Sequence, residues 1–134
     1  MDAEQIIKTL EAYQLRLFVR TKDGVEPAEP ATLSSNLLLI RGLLVQLVDK
    51  VYEAEREYRK AKAARFDRLI SPNADGSKGL SKSAAFDQLE MELDLIEMKT
   101  NVERLRNYIK YIDGLCTGVQ SVLRVLSTSD RNQY

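Results

Sequence analysis

Apolar residues return at three- and four-residue intervals along most of the chain, the mark of helices with one face turned inward. Asp2 and Gln5 stand at capping-box spacing, and Ile6, Ile7, Leu10, Tyr13 and Leu17 follow on one face. This pattern predicts a first helix over residues 1–20, ending near Arg20. The next segment, TKDGVEPAEPATLSS, holds Gly24, Pro27 and Pro30 and reads as a linker over 21–34. Pro30 bars helix through Glu29, because the residue before a proline is pushed out of the α region. A second helix is predicted to begin around Thr32 to Ser35 and to occupy 35–70. Its first half is apolar almost all round, which predicts burial on more than one side. Its second half is polar, with small Ala54, Ala61, Ala63 and Ala64. Ser71-Pro72-Asn73 stops it, and SPNADGSKGLSKS reads as a mobile loop over 71–83.

The clearest periodicity comes last. From Met91, apolar residues fall at Leu95, Met98, Val102, Leu105, Ile109, Ile112, Cys116, Val119, Leu123 and Leu126. The steps alternate four and three, a heptad seam held over five repeats. One long helix over 84–127 is predicted, with 128–134 a frayed tail. A second line, Ile96, Tyr108, Tyr111, Leu115, Val122 and Val125, widens the apolar stripe. One antiparallel partner helix does not cover that much surface, and three helices make a thin core at this length. The excess points to self-association through Ile109, Ile112, Leu115, Cys116, Val119, Val122, Leu123 and Leu126. Burial against the first helix is the competing reading. Gly114 and Gly118, each costing about 1 kcal/mol against alanine inside a helix, either admit a neighbouring helix closely or break the helix. The expected fold is all-α: a short N-terminal helix and two long helices forming a hairpin, in a single domain over 1–134 that oligomerises through its C-terminal helix.

Composition narrows the chemistry. Among 134 residues there is no histidine and one cysteine, Cys116, so Ser-His and Cys-His nucleophile pairs and imidazole metal ligands are absent. Cys116 falls on the heptad seam, the place of a small core residue. No glycine-rich phosphate loop occurs. Glu90, Asp94 and Glu97 share a helix face, yet helical two-metal sites draw on Glu-x-x-His motifs that this chain lacks. No catalytic residue, metal site or cofactor is therefore expected, and no enzyme. The opening residues lack a basic, apolar signal peptide. No run reaches the 18 or so uncharged apolar residues of a spanning helix, so a cytoplasmic protein without a membrane partner is expected.

Net charge is zero, with 20 basic and 20 acidic residues, but the charges are segregated. Residues 56–82 hold eight basic residues against Glu57, Asp67 and Asp75, while 83–103 hold six acids against Lys99. Arg56, Arg59, Lys60, Lys62, Arg65 and Arg68 form a basic ridge, with Tyr58 and Phe66 interleaved and Tyr52 beside it. Lys78 and Lys82 extend it into the loop. Cations along a backbone path with aromatic platforms suit single-stranded nucleic acid. The competing reading pairs the basic and acidic arms across the hairpin, where each surface pair contributes only about 0–1 kcal/mol.

Two short stretches carry a resemblance: Ala64-Arg65-Phe66-Asp67 ahead of the loop, and Asp113-Gly114-Leu115-Cys116-Thr117-Gly118 on the last helix. With the arrangement of Ser35 to Ser127, they resemble the UvsY-type recombination mediators of bacteriophages. The resemblance implies a mainly helical protomer assembling into a ring-like homo-oligomer through C-terminal helices. It implies binding to single-stranded DNA and loading of a recombinase onto strands coated by single-strand binding protein, in DNA recombination and repair. The host cytoplasm would be its location if the chain is phage-encoded. The family's basic pair, a lysine two residues before an arginine, matches at Arg65; the lysine position is Ala63, with Lys62 one residue earlier. A non-enzymatic helical adaptor or phage-encoded inhibitor that binds protein and not DNA is the alternative function.

Overall fold

The computed structural model describes residues 1–132, with side chains described through residue 128. Among these residues the chain forms four helices and one two-stranded antiparallel sheet. The helices are α1 (Ala3–Leu15), α2 (Pro30–Ile70), α3 (Lys82–Glu90) and α4 (Leu93–Asn132); the strands are β1 (Phe18–Thr21) and β2 (Gly24–Pro27). The mainly helical expectation holds, and four boundaries differ from those the sequence suggests.

The first difference is the hairpin. β2 lies within the predicted linker, whereas β1 takes Phe18, Val19 and Arg20 from the end of the predicted first helix and only Thr21 from the linker; the two pair with Phe18 opposite Pro27 and Thr21 opposite Gly24. Asp23-Gly24 is a hairpin signal, and Gly24 closes the turn at φ 128°, a region open to glycine. The Ala28 N–H donates to the Leu17 carbonyl at 2.9 Å and extends the ladder by one bond. As a result α1 ends at Leu15 and not near Arg20. Its capping box forms as predicted: the Gln5 N–H donates to the Asp2 carboxylate and the Asp2 N–H to the Gln5 side chain, both at 2.8 Å.

The second difference lies at the start of α2, which begins at Pro30 and not at Thr32 to Ser35. A proline in the first helical turn loses nothing, since its missing N–H would have had no helical partner. The Leu33 N–H already donates to the Glu29 carbonyl at 2.9 Å.

The third difference splits the predicted third helix. α3 ends at Glu90 and α4 begins at Leu93, with no glycine or proline between them. The break resets the helical phase. Ala85 and Leu89 face inward on α3 and Leu95 does so on α4, while Met91, predicted to start the seam, is 78% exposed. Glu92 and Asp94 sit at the N-terminal end of α4, where carboxylates complement the helix dipole. Finally, α4 continues to Asn132, through part of the predicted tail; residues 133 and 134 lie outside the described residues.

The chain divides into two compact units, Met1–Lys50 with Asn107–Tyr134, and Val51–Arg106. In the first unit the core gathers Ile6 and Leu10 of α1, Leu33, Ile40 and Leu47 of α2, and Ile112, Cys116 and Val119 of α4. The Gln14 amide donates to the Tyr108 hydroxyl at 3.2 Å, and Arg41 lies 3.8 Å from Asp113. Burial pushes both the Tyr108 hydroxyl and the Cys116 thiol above their ordinary pKa. The first half of α2, expected to be buried on more than one side, buries Leu33, Leu37, Ile40, Leu43, Leu44 and Leu47 and leaves Leu38, Leu39 and Val45 uncovered. Over one eighteen-residue window containing no more than two charged residues, α2 is long and apolar enough to cross a membrane, and 39% of that window is buried in the fold. In the second unit the core is smaller, built from Val51, Ala85, Leu89, Leu95, Val102 and Leu105.

Candidate nucleic-acid interface

All ten residues expected to meet nucleic acid lie in the second unit, but they do not form one ridge. Residues three apart on an α-helix fall about 60° short of a full turn. The series Arg59, Lys62, Arg65, Arg68 therefore winds around α2, and its third member turns inward. Arg65 is 31% exposed against 75% for Arg59. Its guanidinium donates to the Glu92 carboxylate and to both oxygens of Asp94, one of these bonds at 2.9 Å. Those hydrogen bonds, with the charge behind them, hold the Asp94 carboxyl below its usual range and raise Arg65. Arg65 thus joins α2 to the α3–α4 break, and its donors face carboxylates, not solvent. Asp94, one of the three acids on a shared face, is committed to the same contact.

The aromatic residues are also redistributed. Phe66 stacks on Phe86 of α3, ring centroids 4.7 Å apart and planes 29° apart. Tyr58 is half-buried, with the Lys62 ammonium 5.8 Å from its ring centroid. Both rings are half-buried, whereas Tyr52 is 59% exposed.

What remains outward is a set of cations spread around α2 and beyond it. Arg56, Arg59, Lys60, Lys62 and Arg68 are exposed on α2, as are Lys78 in the loop and Lys82 in the first turn of α3. Arg59 is the one of these seven with an ion pair among the described residues, 3.1 Å from Glu55. Glu55 also meets Arg106 at 2.7 Å, so its single negative charge is shared by two guanidiniums and does not cancel the set. The Glu55–Arg59 spacing of four is readable in the sequence as a helix pair; the approach of Arg106 is not. Nor are Phe86 and Glu92 marked by local sequence as partners of the basic stretch.

The loop expected to be mobile carries its own bonds. The Asn73 N–H donates to the Ser77 carbonyl at 2.9 Å, and the Leu80 N–H donates to the Leu69 carbonyl at 2.8 Å, satisfying one of the open carbonyls at the end of α2. The Ser77 hydroxyl and N–H both donate to Asp75 and lower its pKa. Gly79 passes so close to the Ile70 and Ser71 backbone that a Cβ there would overlap it.

The residues expected to self-associate lie in the first unit. Ile112, Cys116 and Val119 are buried in the protomer; Ile109, Leu115, Val122, Leu123 and Leu126 are half-buried. Leu115, Val122, Phe18 and Pro27 line an apolar groove of about 320 Å3 whose floor includes Gly114 and Gly118. The helix runs unbroken through both glycines, and a Cβ on either would meet nothing within 4 Å. Among the described residues no group of three or more acidic or cysteine side chains is placed to hold a metal ion.

No family model, curated protein or solved structure matches the chain.

Proposed function

We propose that the chain is a non-enzymatic protein that binds single-stranded DNA and acts as a recombination mediator, helping a recombinase onto strands coated by single-strand binding protein. The observation that carries the DNA-binding part is the set of seven outward cations on α2, in the following loop and at the start of α3, six of them without an ion pair among the described residues, next to an exposed tyrosine. Cations spaced along a helix follow a phosphate backbone, and stacking needs no particular base. The mediator role rests on the resemblance of Ala64–Asp67 and Asp113–Gly118. In this reading α2 and α4 pair as a hairpin, and protomers join through the apolar groove and the half-buried end of α4. Repetition of a modest basic surface in a homo-oligomer multiplies its affinity without any new contact.

Fluorescence anisotropy with a labelled oligonucleotide across a salt series tests the reading. Each phosphate contact on a single strand contributes about −0.7 to the slope of log affinity against log salt. A steep negative slope is expected; absent or salt-insensitive binding refutes the proposal.

A second reading has its own observation. Phe86, Met91 and Leu93 are apolar and exposed around the α3–α4 break, and Leu38, Leu39 and Val45 are exposed on α2. Such faces suit an adaptor that docks on other proteins. Light scattering with a gel-shift assay separates the two. A stable homo-oligomer that shifts single strands supports the mediator, and a monomer or dimer indifferent to DNA supports the adaptor.

A further inference from the structure

Tyr52, Arg56 and Lys60 are four residues apart, so each step advances about 40° around the helix and the three stay on one face. Glu55 and Arg59 border that face at the same spacing. Together the five side chains line a cleft of about 280 Å3. This lies just below the range of pockets for drug-sized ligands, the scale of a single nucleotide unit. Tyr52 is the one aromatic of the basic stretch that is neither stacked nor half-buried. Arg59 is held from one side by Glu55, so its position costs little further ordering, whereas Arg56 and Lys60 have no ion pair among the described residues.

We infer that this face is a nucleotide subsite, in which one base of a single strand stacks on the Tyr52 ring while the phosphates on either side meet Arg56 and Lys60. The inference rests on the single-strand reading above and gives it a specificity element. In a duplex the bases are already stacked and paired, so a duplex can use the cations but not the tyrosine. Tyr52 therefore favours single over double strands, and the cations attract both. Tyr52 lies more than three helical turns before Arg65, the residue that the sequence resemblance singles out.

The test compares Tyr52→Ala, Tyr52→Phe and the unmodified protein on three probes: a labelled oligothymidylate, an abasic strand of equal length, and a duplex. Tyr52 is 59% exposed, so its truncation opens no core cavity, and circular dichroism checks that the helices are retained. Loss of one stacked base corresponds to about a 5- to 140-fold loss of affinity. Tyr52→Ala is expected to lose that factor on oligothymidylate, to change little on the abasic strand and the duplex, and to bind the two single strands alike. Tyr52→Phe, which keeps the ring, is expected to retain affinity. Equal affinity of Tyr52→Ala and the unmodified protein for oligothymidylate, with a steep salt slope in both, overturns the subsite and leaves the DNA-binding reading standing. If the unmodified protein binds none of the probes, both fall.

Discussion

Replacing Arg65 with glutamine separates the two roles open to the basic stretch. In the fold the Arg65 guanidinium is engaged by Glu92 and by both oxygens of Asp94, so it has little left to offer a phosphate. An outward cation that meets one phosphate contributes about 0.7 to the salt slope on a single strand. Arg56→Gln should therefore lower the slope by about 0.7, and Arg65→Gln should leave it unchanged within error. The expected effect of Arg65→Gln is on stability and its pH dependence. Asp94 is held below the ordinary carboxylate range by Arg65. A carboxyl depressed in the folded state stabilises at pH above its unfolded pKa, and this contribution fades as pH falls through the depressed value. The difference in stability between the unmodified protein and Arg65→Gln should thus be largest near neutrality and shrink in acid below that value. Urea melts at a series of pH values, followed by circular dichroism, measure the first quantity, and anisotropy across salt measures the second. The reasoning fails if Arg65→Gln lowers the salt slope as much as Arg56→Gln does, or if the stability difference stays constant down to acid pH.

Two glycine substitutions should move stability in opposite directions in a chemical melt. Gly79→Ala forces a Cβ into the Ile70 and Ser71 backbone and is expected to destabilise by about 1–3 kcal/mol. Gly114→Ala adds a Cβ in open space inside a helix and should stabilise by up to about 1 kcal/mol. On α2, Leu47→Ala empties a fully buried position and should cost about 2–5 kcal/mol, while Leu38→Ala, at 74% exposure, should stay within about 0.5 kcal/mol; equal effects would contradict the assigned inward face. Cys116 is 1% exposed and burial raises its thiol pKa, so a disulfide reagent should label it only as fast as the fold opens. Rapid labelling of the folded protein would show that α4 is not packed as described.

Local patterns in the chain are enough to recover most of its helical segments, though not all of their ends. The capping box at Asp2 and Gln5, the stop at Ser71-Pro72 and the four-three seam from Leu95 to Val119 each depend on residues a few positions apart. The physics they express is local as well: a cap bond, a steric exclusion, a helical period. Short-range signals for the hairpin and the α2 start were present too, in Asp23-Gly24 and in Pro30 as a first-turn residue. They were outweighed by the density of turn residues around them.

The candidate site was legible as a composition but not as a surface. Charges and rings within 56–68 are visible in the sequence, and so is the four-residue spacing of Tyr52, Arg56 and Lys60. Which of them face solvent is decided by partners distant in the chain. Arg65 is claimed by Glu92 and Asp94, Phe66 by Phe86, and Glu55 by Arg106 as well as Arg59. The α3–α4 break has the same origin: no breaker residue marks it, and it allows Leu89 and Leu95 both to be buried while Arg65 meets the first acids of α4. Helical period and capping are properties of a segment, whereas pairing of a charge or ring depends on what the fold carries to it. The sequence alone therefore determined where most helices run, and the tertiary structure decided which of their cations and aromatics remain free to bind.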